Sequence, residues 1–173
     1  YYLNDVMNYN ASIIAITVSS LSVSYVIFCL LLEKPTKKIS PRNNIFISLF
    51  MMGVSILLFV SSTKYFFILI NLILYGGFTA FLWPHMASWF SRGREDESLN
   101  RAISFFNLSW GFGSAFSSIL CGILTEINVI LPLVVSISAF FILSAIVKIM
   151  TYKLSYLKAV ESEENYNKNS KLI

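Results

Sequence analysis

The sequence predicts an all-α fold, a polytopic membrane helix bundle with five transmembrane helices. Three observations carry that reading. Hydrophobic residues make up 56% of the chain and mean hydropathy is +0.69, against roughly 45–50% apolar residues in soluble domains. Only 13% of the 173 residues are charged, too few to cover a soluble surface of that size. Those charges gather in short clusters between long apolar runs, and the runs are continuous rather than alternating, which selects helices over barrel strands.

The same counts exclude several functions. Cys29 and Cys121 are the two cysteines, and both fall inside apolar runs, so they carry no disulfide or metal signature. No Asp or Glu lies within a span and the chain has a single histidine, which leaves no basis for an enzyme, a metal site or a cofactor. The net charge of +4 has a membrane explanation given below, so no nucleic-acid partner follows from it. A start at Tyr1 points to a partial chain, and YYLNDVMNYN has neither the basic flank nor the apolar run of a signal peptide.

In order, the spans are 13–32, 45–62, 65–90, 102–124 and 129–150. The first runs for about 20 residues, roughly 30 Å as a helix, enough to cross the hydrocarbon core. The third is longer and contains Pro84, which predicts tilt or a kink. Residues 151–173 are polar and mixed in charge, and read as a cytoplasmic tail or a linker.

Orientation comes from the basic residues. If successive loops alternate sides, one side holds Lys34, Lys37, Lys38, Arg42, Arg92, Arg94, Arg101, Lys148, Lys153, Lys158, Lys168 and Lys171. The other holds Lys64 alone. That asymmetry is a positive-inside signal. It places residues 33–44, residues 91–101 and the C-terminal tail in the cytoplasm of a multi-pass protein of the cell membrane.

The spans differ in what they present. The second (IFISLFMMGVSILLFVSS) and the fifth relieve bulk apolar side chains only with serine and small residues, and read as lipid-facing. The third and fourth carry Asn71, Thr79, His85, Asn107 and Trp110, which are costly in lipid unless they meet protein or a wet cavity. At 100° per residue, Asn107, Trp110, Gly111, Ser114, Ala115, Ser118 and Gly122 share one face of the fourth span. Phe105, Phe112, Phe116, Ile119 and Ile123 share the opposite, lipid-ward one. On the third span Asn71, Tyr75, Phe78, Leu82, His85 and Trp89 form one stripe, with Gly76, Ala80 and Ala87 on the other side. Trp83 and Trp89 read as interface anchors, and Asp96 or Ser98 as a cap for the fourth helix.

Several stretches, in order, resemble the N-terminal half of a major facilitator superfamily (MFS) transporter, from its second helix to its sixth. EKPTKKISPRNN sits at that family's short basic loop between helices two and three. YGGFTAFLWP resembles its fourth helix, and RAISFFNLSWGFGSAFSSILCGIL its glycine-striped fifth. The family loop pattern G-x-L-A-D-R-x-G-R-R is only partly kept: both glycines are gone and Lys37 stands at the aspartate. The arginine common on helix four is absent, with Asn71 nearest its place.

The resemblance implies transmembrane transport of a small-molecule solute by alternating access, in a lipid bilayer, with the first helix and the second transporter half outside this chain. The substrate-pathway candidates are Asn71, Tyr75, His85, Asn107 and Trp110. Gly76, Ala80, Gly111, Ala115, Ser118 and Gly122 are candidates for close helix packing. Three of these also have a plainer reading: Asn107 as a bridge between helices, Trp110 as a packing residue and His85 as an interfacial group. The alternative for the whole chain is a complete five-span membrane protein with a structural, sensory or accessory role.

The orientation has a direct check. An impermeant amine reagent applied to intact cells labels Lys64 and leaves Lys37, Lys38 and Lys158 untouched. Labelling of Lys37 from outside reverses the topology.

Overall fold

A computed structural model describes residues 2–36, 40–91 and 93–153. The expected tail from 154 onward, Lys37, Lys38 and Arg92 lie outside the described residues. After a π-helical turn, Tyr2–Val6, come α1 (Ala11–Thr36), α2 (Pro41–Ser61), α3 (Tyr65–Ser91), α4 (Asp96–Ile127) and α5 (Leu131–Lys153). All five are long and apolar enough to cross a membrane. No strand occurs among the described residues.

Local chemistry sets the helix ends. Asn10 opens α1, its Oδ1 accepting the Ile13 N–H at 2.9 Å. Ser40 caps α2 by accepting from the Asn43 N–H at 3.4 Å, and Pro41 occupies the first helical position, where its missing N–H costs nothing. At the start of α4 the Ser98 hydroxyl accepts from the Glu95 N–H at 3.1 Å. Gly93 turns the chain between α3 and α4 with φ +69°, a conformation that suits a residue without Cβ.

The most buried helix is α2, which corrects its reading as lipid-facing. It lies along α3 on one side and α5 on the other, while α1 packs chiefly against α3. Asn44, Ile45, Ser48, Leu49, Met52, Gly53, Ser55 and Phe59 are all buried on it. The reason is physical. Lipid is as apolar as a protein core, so hydrophobicity cannot separate the buried face of a span from the exposed one. What distinguishes the buried side of α2 is small and polar residues at helical spacing, dispersed in an apolar run. The fifth span fits its reading better, with Val134, Val135, Ile142 and Ile146 exposed, although Ser144 is buried and Phe140 packs on the α2 cluster.

Two clusters hold these helices. Ile45, Leu49, Met52 and Leu82 form one, with Tyr75, Phe78 and Phe140 around it. Leu3, Phe59 and Ile68 form the other, at the Lys64 end, where the π-helical turn folds onto the bundle. There Tyr2 donates its hydroxyl to the Val60 carbonyl at 3.1 Å, and desolvation pushes its phenol pKa up, which keeps the donor proton in place.

Against this, α4 stands apart. It touches α3 and α5 over short stretches, and none of its 32 residues is buried. Phe105, Phe112, Phe116, Ile119 and Ile123 are exposed, as expected of a lipid-ward face, but the small-residue face is equally open. A Cβ added at Gly111 or Gly122 would meet nothing within 4 Å.

Gly76 is the opposite case. A Cβ there would lie 2.5 Å from the Leu21 carbonyl oxygen and collide with the Ser24 hydroxyl, so α1 and α3 meet backbone to backbone. Gly76→Val therefore lowers stability by about 1–3 kcal/mol through overpacking, read as a fall in detergent melting temperature. Phe112→Leu, at a position 71% exposed, leaves the melt nearly unchanged. Equal melts for the two variants contradict the packing assigned to Gly76.

Candidate substrate pathway

The polar stripe of α3 faces α2 and α5, and its hydrogen bonds can be followed along the helix. Near the Lys64 end Asn71, only 6% exposed, donates from Nδ2 to the Ser62 hydroxyl at 3.3 Å. Ser62 in turn donates to the Leu58 carbonyl at 2.5 Å. One turn along, Tyr75 is half-buried and meets Phe140 of α5 edge to face, with ring centroids 6.1 Å apart. Thr79 returns its hydroxyl to the Tyr75 carbonyl at 2.8 Å, within its own helix.

His85 closes the stripe at the basic end. Its Nδ1 lies 2.7 Å from the Phe81 carbonyl oxygen, and its Nε2 lies 2.7 Å from Nδ2 of Asn44. A carbonyl can only accept, so Nδ1 carries the proton and Nε2 accepts from the Asn44 amide. Asn44 is buried in the first turn of α2.

The remaining pathway candidates lie on α4. Asn107 is exposed. Trp110 is 57% exposed and stands edge-on to Trp83 of α3, with centroids 4.7 Å apart. Trp83 also meets Phe106 at 6.0 Å, so it joins α3 to α4 by ring contacts. The candidates therefore fall into two groups. Asn71 and Tyr75 line one apolar cavity of about 270 Å3, together with Ser55, Leu21 and Phe59. His85 sits at the other end of α3, and Asn107 and Trp110 are on a different helix.

Among the packing candidates, Gly76 and Ala80 are buried within the bundle, Gly76 against α1. Gly111, Ala115, Ser118 and Gly122 are exposed on α4, where Ser118 donates to the Ser114 carbonyl at 2.9 Å.

Sequence reasoning missed Asn44, hidden in a stretch read as a basic loop. The signal was present: Ser40-Pro41 is a helix start, and it puts Asn44 inside the helix, where a buried amide needs a partner. Buried Thr17 was also missed. Its hydroxyl donates to the Ile13 carbonyl at 2.6 Å and lies 3.2 Å from the Tyr65 hydroxyl, linking α1 to the start of α3.

The five apolar helices show a membrane bundle but do not by themselves say which kind. The profile of one family does: the Major Facilitator Superfamily model matches residues 1–171. The chain belongs to the Major Facilitator Superfamily. Neither a curated protein nor a solved structure matches it significantly. It is thus a multi-pass membrane protein of a superfamily of transporters, whose members move small solutes rather than carry out enzyme chemistry. In this MFS chain α3 is braced on both sides, against α1 through Gly76 and against α2 through Asn71 and His85.

The His85–Asn44 contact can be weighed by a double-mutant cycle. With Asn44→Ala and His85→Ala in the intact protein, the coupling energy comes out at about 0.6–1.7 kcal/mol, the range of interhelical hydrogen bonds in membranes. The measurement is reversible unfolding in mixed micelles. Strictly additive effects show that the pair contributes no coupling.

Proposed function

We propose that this chain supplies five helices of one half of a secondary transporter that moves a small solute by alternating access. A further helix and a second half complete the pathway. The observation that carries this reading is the state of α4. Its face bears Asn107, Trp110, Ser114 and Ser118, yet none of its residues is buried among the described helices. Polar groups on a spanning helix are unfavourable against lipid, so that face is best satisfied by protein and by a wet cavity. In a member of this superfamily, a solute pathway supplies both.

On this reading Asn107 and Trp110 contact the solute. Asn71, Tyr75 and His85, already engaged with α2 or α5, shape the pathway by holding α3 in place. The five spans contain no Asp or Glu, which favours a neutral or weakly charged solute along this half. Residues that couple transport to an ion then belong to the other helices. The basic loops and tail face the cytoplasm, in keeping with the charge asymmetry.

Thiol accessibility tests the wet face without knowing the solute. In the intact protein in a bilayer, with Cys29 and Cys121 replaced by serine, Asn107→Cys and Ser114→Cys react with a water-soluble maleimide. Phe112→Cys and Phe116→Cys react at least about ten times more slowly, because thiolate forms poorly in hydrocarbon. Equal rates on the two faces would sink the proposal.

A further inference from the structure

The end of α3 and the first turns of α4 enclose a cleft of about 480 Å3 whose lining combines cations with aromatic rings. Arg94 and Arg101 line it together with Phe90, Phe105 and Phe106. The rings of Phe90 and Phe106 lie 5.0 Å apart and join the two helices across its floor. The neighbouring acids Glu95, Asp96 and Glu97 are not part of the lining.

Both arginines have capacity for a ligand. Arg94 donates from Nη1 to the Phe90 carbonyl at 3.1 Å, and a guanidinium carries five N–H groups. Arg101 meets Glu97 one turn back at 3.3 Å, and both side chains are largely exposed. An exposed pair of that kind holds its arginine weakly and exchanges readily for a better anion.

The position of the cleft decides which anion fits. The helix α4 starts at Asp96, but its apolar run begins at Ala102, so Arg101 stands at the boundary between polar turn and hydrocarbon. Beyond it the wall continues into the span as Phe105 and Phe106. Cationic forks at the membrane surface followed by an aromatic wall below reproduce the polarity order of a phospholipid. A soluble anion would make no use of the wall.

We propose that this cleft binds one anionic phospholipid, its phosphate on Arg94 and Arg101 and an acyl chain along Phe105 and Phe106. The bilayer supplies this occupant at high local concentration. The lipid fills the seam between α3 and α4 that the sparse direct contacts leave open, and ties α4 to the bundle at its basic end.

The test uses the intact protein in nanodiscs of mixed phosphatidylcholine and phosphatidylglycerol, with native mass spectrometry counting the lipids retained. Wild type keeps one phosphatidylglycerol in preference to phosphatidylcholine. Arg94→Gln with Arg101→Gln lowers its occupancy roughly ten-fold, while Lys64→Gln, at the other end, leaves it unchanged. Phe105→Ala keeps both charges and lowers retention about three-fold by removing acyl contact. Excess inorganic phosphate does not displace the lipid. Absence of a phosphatidylglycerol preference, or equal retention by the double arginine variant, overturns the site. Displacement by inorganic phosphate with no effect of Phe105→Ala reassigns the cleft to a soluble anion and overturns the lipid. Salt provides a reading on wild type alone, should the double variant fail to fold. Phosphatidylglycerol retention falls as salt rises, and a salt-insensitive preference rejects the arginine contact.

Discussion

In a bilayer a polar group that leaves water must find its partner inside the protein, and the seam between α2 and α3 meets that demand at both ends. Asn71 reaches Ser62 at one end, and Asn44 reaches His85 at the other. Between them the seam is packed with Met52, Leu49 and Leu82. The rest of the bundle hangs on this pair: α5 packs on the far side of α2, and α1 on the far side of α3. Slipping either helix by one residue would break both hydrogen bonds, and slipping α3 would also misplace Gly76 against α1. Each bond contributes about 0.6 kcal/mol on average, so their value lies in fixing register more than in total stability.

The serines of the bundle work differently. Ser55 donates to Met51, Ser144 to Phe141 and Ser24 to Leu21, in each case to a carbonyl of its own helix. Each of these three hydroxyls bonds within its own helix, and what it offers the neighbouring helix is small size. That is why Ser24 and Gly76 meet directly, with the Leu21 backbone beside them. The two kinds of polar residue have separate roles. Serines permit approach, and amides and His85 fix where the approach occurs.

This division explains what could and could not be read from the sequence. The spans were legible because each needs about 20 continuous apolar residues. Their ends lay further out than hydropathy suggests. The run expected over 102–124 belongs to a helix from Asp96 to Ile127, because capped polar turns extend a helix without adding apolar residues. The buried face of α2 was not legible, since Ile45 and Leu49 on the inside are chemically the same as Ile47 and Leu57 on the outside. Asn44 was obscured by its basic neighbours. On α4 only the helical phase of the bulky and small residues was legible, and both faces are exposed. Which surface meets the small face was not, since none of the five described helices covers it.

The same physics accounts for the contrast between α4 and the other helices. Its attachments are aromatic: Trp83 to Trp110 and Phe106, and Phe90 to Phe106. All lie toward the basic end, so the helix is held by rings at one end and by its short connection to α5 at the other. Ring contacts of this kind contribute roughly 0.5–1.5 kcal/mol each and tolerate small changes of tilt, whereas the backbone contact at Gly76 does not. The α2–α3 unit therefore forms the rigid part of the described bundle, with α1 locked to it. The helix that carries Asn107 and Trp110 has no glycine held in such a contact among the described residues. The alternating access proposed above calls for that combination, because a fixed frame gives a moving surface something to move against.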